Sequence, residues 1–272
     1  GMTNIPLMCC QEMYVSGSLP MCIRVLMHLQ LPDDRIVHPV YMEKAVTLRP
    51  DITGIAPSKL VIAIDGPAGA GKSTIAKLLA QKLDIPYLDT GAMYRAVGLK
   101  VIEAGGNPAD PSDVIPLLEH TQVMVQYENR SQRVFLDNQD VTDKIRTQQI
   151  SIAASAVAAI PEVKQKLADV QRDIASRTSL VMDGREIGTY VLPNADIKIF
   201  LTASPEERAR RRWEELGKKG IQQDYNQILK EINDRDYNDS TRSFAPLKRA
   251  EDAATIDTTN KDINEVIIEI ES

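Results

Sequence analysis

The sequence predicts an α/β fold, a parallel sheet with helices on both faces, and three observations carry that expectation. The first is Gly66-Pro67-Ala68-Gly69-Ala70-Gly71-Lys72-Ser73, which follows the apolar run Leu60-Val61-Ile62-Ala63-Ile64 and precedes a helical pattern over 74–83. Buried strand, glycine-rich turn and helix in that order make a phosphate loop. The second is the alternation of short apolar strands with helices from Leu60 onward, the pattern of a parallel sheet. The third interrupts it. Over 121–141, Val123, Val125 and Tyr127, then Val134 and Leu136, alternate around the polar turn Glu128-Asn129-Arg130-Ser131, which predicts a small antiparallel insert standing off the main sheet.

Taken in order, the phosphate loop needs its glycines because successive backbone N–H groups must face a polyphosphate at close range. Lys72 supplies a point charge for the β- and γ-phosphates and Ser73 a hydroxyl for Mg²⁺, so the chain is expected to bind a nucleoside triphosphate. Pro86-Tyr87-Leu88-Asp89 reads as a short strand, and a helix over 91–104 ends at Gly105-Gly106. Helices over 148–159 and 162–176 follow the insert, with Pro161 as a helix-start residue. Ser179-Leu180-Val181-Met182 and Asp196-Ile197-Lys198-Ile199-Phe200-Leu201 read as buried strands. Ser204-Pro205-Glu206-Glu207 caps a basic helix, a second helix runs over 225–239, and the strand Ala254-Thr255-Ile256 and a helix over 263–270 close the domain.

Composition narrows the setting. The 272 residues are 43% hydrophobic and 26% charged, as in ordinary globular chains. The net charge of -6 argues against broad adhesion to nucleic acid but leaves room for a local basic pocket. No apolar run is long enough to span a bilayer, and the N-terminus lacks the layout of a secretory signal. The three cysteines, Cys9, Cys10 and Cys22, make no disulfide framework and fit a reducing cytosol. Gly1 before Met2 reads as a tag scar. Residues 2–59, rich in Met and Pro without sustained periodicity, read as a loosely ordered extension, with a separate functional module and a misassigned upstream start as open alternatives. His28 and His38 lie near the cysteines without metal-ligand spacing.

Four further segments bear chemistry. In Leu88-Asp89-Thr90-Gly91-Ala92-Met93-Tyr94-Arg95 a hydroxyl and a glycine open a helix, whose N-terminus favours anions. Arg95 can clamp a phosphate, although an exposed helix arginine is ordinarily just solvated. Met182-Asp183-Gly184-Arg185-Glu186-Ile187-Gly188 places charges at the carboxyl end of a buried strand, where ligands of open α/β sheets bind; the alternative is a tight turn with a self-satisfied Arg–Glu pair. In Glu207-Arg208-Ala209-Arg210-Arg211-Arg212, the arginines 208, 211 and 212 share one side and Arg210 points elsewhere. A solvated basic face is the default reading, yet phosphoryl transfer needs such cations. Arg235, Asp239 and Arg242 share a helix face at i, i+4 and i+7, as a surface ion network or as a clamp for a ribose and base.

These segments in this order resemble the bacterial short-chain cytidylate kinases of the nucleoside monophosphate kinase superfamily. The resemblance spans 60–272 and rests on IDGPAGAGKST, LDTGAMYR, IRTQ with AASAVAAIPEV, DGREIG, IKIFLTASPEERARRR and RDYNDSTR. It does not touch 1–59. It implies a three-layer fold with a monophosphate-binding insert at about 117–150, a helical lid at about 204–220, and transfer of the γ-phosphoryl of ATP to CMP or dCMP with Mg²⁺. By position, Gly66, Pro67, Ala68, Gly69, Ala70, Gly71, Lys72, Ser73 and Thr74 would hold the ATP phosphates, with Ser73 on the metal. Thr90, Arg95 and Arg185 would meet the acceptor phosphate. Ser155, Lys164 and Glu186 would face the cytosine, with Asp183 beside them. Arg235 and Asp239 would hold the ribose, Arg242 would reach base and phosphate, and Arg208, Arg211 and Arg212 would belong to the lid. Lys164 stands where the family commonly has arginine, and Glu186 where it has aspartate.

The chemistry agrees. An acceptor phosphate is already ionised at neutral pH and needs no strong general base; His120, the one histidine of the domain, lies beside none of these motifs. Catalysis then consists of aligning two anions and neutralising charge in transit, for which Lys72, Arg95, Arg185, Arg208, Arg211 and Arg212 are suited. The expected partners are small nucleotides, with no nucleic acid and no membrane, acting on a monomer in the cytoplasm. The rival readings are a kinase for another small acceptor and a phosphate-loop switch or ATPase, for which Asp183 would be the metal-binding acid.

Overall fold

The computed structural model describes residues 59–128 and 131–271. The readings made for the extension up to residue 58, and for Asn129 and Arg130 at the hairpin turn, lie outside them.

Strand β1 (Val61–Asp65) is buried along its whole length, as befits a strand with helices on both faces. It runs parallel between β6 (Leu180–Gly184) and β7 (Ile197–Thr202). β2 (Tyr87–Asp89) and β8 (Ala254–Asp257) add parallel edges, giving the order β2-β6-β1-β7-β8. Because side chains alternate along a strand, β1 feeds two cores. Ile62 and Ile64 pack with Ile75 and Leu79 of α1 (Lys72–Leu83) and with Val266 and Ile267 of α8 (Ile263–Glu271). Ala63 joins Leu88, Met93, Val97, Leu167 and Met182 under α2 (Thr90–Glu103) and α5 (Pro161–Arg177). Three layers result, as the sequence predicts.

α3 (Pro111–Leu118) was not expected, although its signals are present: the Asp110 carboxylate caps the Ser112 N–H and Pro111 stands in the first turn. The insert forms as an antiparallel sheet of β3 (Val123–Glu128), β4 (Ser131–Leu136) and β5 (Gln139–Asp140). Gln132 ties it to the main body, its amide exchanging hydrogen bonds with the Asp89 backbone N–H at 2.7 Å and C=O at 3.1 Å. α4 (Gln148–Val157) is capped by the Thr147 hydroxyl. α6 (Pro205–Lys218) begins at Ser204, whose hydroxyl accepts from the Glu207 N–H, the cap expected from the sequence. α6 and α7 (Tyr225–Thr241) share a small core of their own, Ala209, Leu216 and Ile228. A π-helical turn, Ile187–Val191, follows β6 and was also unexpected.

Candidate active site

The carboxyl ends of β1, β2 and β6 open on a cavity of about 250 Å³, floored by the phosphate loop and walled by α2, α4 and α7. The chain turns out of β1 at Gly66, whose φ is 148° and where a Cβ would lie 1.9 Å from the Leu201 carbonyl oxygen, so only glycine fits. The loop is braced from within and from outside: its Pro67 carbonyl accepts from its own Lys72 Nζ at 2.7 Å, and its Ala68 and Ala70 carbonyls accept from Arg208 Nη1 at 3.1 Å and Thr258 Oγ1 at 3.3 Å. Ala68, Gly69, Lys72 and Ser73 line the cavity. Burial first, and then the Arg185 guanidinium, hold the Lys72 ammonium well below the ordinary lysine range.

Five cationic side chains (Lys72, Arg95, Arg185, Arg235, Arg242) and four carboxylates (Asp89, Asp183, Glu186, Asp239) line this space. Arg95 pairs with Asp89 at 2.7 Å. Asp239 takes Arg185 at 3.0 Å and Arg242 at 2.7 Å; burial pushes its carboxyl up, but the surrounding arginines prevail and leave it below the usual carboxylate range. Glu186 takes Lys164 at 2.6 Å and the Tyr94 hydroxyl at 3.0 Å on one oxygen, Oε1. Lys164 and Glu186 are almost fully buried, with side chains 1% and 6% exposed. The sequence left a self-satisfied Arg185–Glu186 pair open; each residue instead pairs with a partner far away in the chain.

What remains is cationic. Among the described residues Arg235 has no ion-pair partner, and burial with the nearby Arg185 lowers it to about 10. The buried Nε atoms of Arg235 and Arg242 make no hydrogen bond. Buried donors are rarely left so. The Thr90 hydroxyl is engaged with the Asp183 carbonyl at 2.7 Å. Ser155 lines the wall and its carbonyl accepts from Arg242 at 3.3 Å.

Asp183 sits between the Ser73 hydroxyl at 2.9 Å and the Tyr87 hydroxyl at 2.8 Å. Burial first, then Asp89, raise its carboxyl, against Lys72. Among the described residues no cluster of three or more His, Cys, Asp or Glu could cage a metal. A hydroxyl and an acid beside a phosphate loop do fit Mg²⁺, which keeps water and phosphate oxygens as most of its ligands.

The three arginines grouped by helical spacing part company. Arg208, 3% exposed, is locked to Asp236 and to the Ala203 and Ala68 carbonyls, beneath the phosphate loop. Arg211 reaches Glu207 and the backbone and hydroxyl of Thr258. Arg212 spans from Glu215 to Gln148 on α4. Arg210, 52% exposed, pairs with Glu207 and Glu214, solvated as expected. None of the four lines the cavity. Sequence reasoning passed over Asp65, Tyr87, Tyr94 and Asp236. All lie in or beside the quoted motifs, but only folding reveals their partners.

A family model described as cytidylate kinase matches residues 62–272, and one described as chorismate mutase type I matches residues 1–52. A cytidylate kinase of Caldicellulosiruptor saccharolyticus is 54% identical over 209 residues, covering 77% of this chain and 92% of the relative. A cytidylate kinase of Halalkalibacterium halodurans is 50% identical over 208 residues, covering 76% and 94%. A solved structure of an uncharacterized protein from Eubacterium ventriosum aligns with a TM-score of 0.44 at 17% identity, covering 78% of this chain and 96% of that one.

Proposed function

The chain belongs to the cytidylate kinase family, and on that premise we propose that it transfers the γ-phosphoryl group of ATP to CMP and dCMP, giving CDP and dCDP. One observation carries the site reading: a braced phosphate loop and the arginines 95, 185, 235 and 242 line one cavity, with Arg235 left without an ion-pair partner among the described residues. Such a cavity suits two anions placed end to end.

In this reading Gly66 to Thr74 grip the donor phosphates and Lys72 swings from the Pro67 carbonyl onto the transferring group. Thr90, Arg95 and Arg185 take the acceptor phosphate, Arg235 and Asp239 hold the ribose, Arg242 reaches base and phosphate, and Glu186 with Lys164 and Ser155 reads the base. Ser73 and Asp183 would hold Mg²⁺, which would neutralise part of the donor's phosphate charge. The protein's own part is to align acceptor oxygen and donor phosphorus, spread cationic charge over the equatorial oxygens, and exclude water. Closure of a lid at about 204–220, carrying Arg211 and Arg212, serves that exclusion. The cytosine amine donates a hydrogen bond where uracil presents an acceptor, so the Glu186 carboxylate favours the first and repels the second. The kinase domain is taken as 60–272, acting as a monomer in the cytoplasm; among the described residues no helix is long and apolar enough to cross a membrane. Steady-state ADP release with CMP, dCMP, UMP and AMP tests the reading. CMP and dCMP are expected to lead in kcat/KM by more than tenfold; a flat profile, or ADP release independent of acceptor, refutes it.

A second reading concerns residues 1–52, favoured by their match to the chorismate mutase type I model. This segment then belongs to a module separate from the kinase, the alternative left open by the sequence. Loss of chorismate on incubation with the full chain, unaffected by Lys72→Ala, is the expected result; stable chorismate overturns the reading.

A further inference from the structure

Asp65 ends β1, one residue before the phosphate loop, opposite Gly184 of β6 in the sheet register. Its carboxylate is buried and accepts the N–H groups of Ile187 and Gly188, each at 2.7 Å. Those are the first two amides of the π-helical turn, and the opening turn of a helix has donors without intrahelical partners. The residue in the capping position is Glu186, whose side chain makes no capping bond. It points instead to Lys164 and Tyr94. Asp65 therefore caps the turn from another strand, which releases the Glu186 carboxylate to face the cavity. Burial raises the Asp65 carboxyl to about 6, a cost that an ordinary loop-end polar residue would not carry.

We propose that Asp65 is a positioning residue for base selection: by capping the turn at Ile187 and Gly188 in place of Glu186, it fixes the base-reading carboxylate relative to the donor loop. Removing it leaves the Ile187 and Gly188 N–H groups without an acceptor and frees the turn that carries Glu186 to shift. The inference rests on the acceptor reading given above.

The test uses the full chain and two variants. Asp65→Asn puts an amide N–H against one of the two donors. Gly188→Ala adds a methyl 3.1 Å from Lys198 Cδ and 3.3 Å from Asp65 Oδ2, which crowds the anchor without altering charge, so it also serves where Asp65→Asn does not fold. Both are expected to lower the CMP-over-UMP ratio of kcat/KM about tenfold, chiefly through the KM for CMP, with the KM for ATP within twofold of wild type. Amide hydrogen exchange without nucleotide should show Ile187 and Gly188 protected in the wild type and released in the variants. Equal losses for CMP and UMP at a constant ratio would make Asp65 structural only and overturn the proposal, as would free exchange of both amides in the wild type. A wild type without preference for CMP would instead defeat the acceptor reading, while the exchange result would still report on the anchor.

Discussion

Lys164 and Glu186, a point charge and a long acid, meet in the fold at 2.6 Å with both side chains buried. Breaking a buried pair strands the remaining charge, so Glu186→Gln is expected to lower unfolding free energy by about 3 kcal/mol as well as narrow the CMP-over-UMP ratio. Denaturant melts beside kinetics separate the two effects, and an unchanged ratio removes Glu186 from base reading. Arg235 presents the reverse case, a largely buried cation without an acid of its own. Arg235→Met should raise the stability of the nucleotide-free protein by about 1 kcal/mol while raising the KM for CMP tenfold or more; a destabilised variant with normal KM contradicts this. Asp65 titrates near pH 6 when folded, above its unfolded value near 4. The folded state therefore holds its proton over that window, and its contribution to stability falls by about 3 kcal/mol as pH rises from 4 to 6. The stability difference between wild type and Asp65→Asn, followed against pH, should show that fall; a flat difference denies it.

At the scale of elements, α6 shows what helical spacing can and cannot tell. Spacing groups Arg208, Arg211 and Arg212 correctly by angle, but their partners Asp236, Thr258 and Gln148 come from α7, the segment after β8, and α4. No local pattern encodes those neighbours. Arg208 is a brace for the phosphate loop in this conformation, and Arg208→Ala is expected to cost about 3 kcal/mol by leaving Asp236 and the Ala68 carbonyl without their partner. A thermal shift of a degree or less would show that the brace carries little. The strands and most helices were legible because burial on both faces leaves uninterrupted apolar runs, as in β1 and β6. α3 was missed despite its Asp110 cap, since its short apolar pattern is broken by Pro116. The π-helical turn at Ile187–Val191 could not be read, because its cap is Asp65, 122 residues earlier.

For the whole molecule, the motifs that meet at the cavity were legible, while Tyr94 and the pairing of the charged residues were not. The motifs at 66–73, 88–95, 182–188 and 235–242 all open on one cavity, which Thr90 and Asp183 line while bonded to each other and, for Asp183, to Ser73. Motif chemistry depends on short spacings that sequence preserves. The ion pairs, by contrast, join α5 to the turn after β6 and that turn to α7, distances that only the folded sheet closes. The claim on which the account stands is that an acceptor nucleotide lies in line with the donor's terminal phosphate. Incubation with ATP labelled in its γ-phosphate, with CMP present, tests it most directly. The label is expected in CDP, with little in inorganic phosphate; label released as inorganic phosphate at a rate indifferent to CMP would contradict the account.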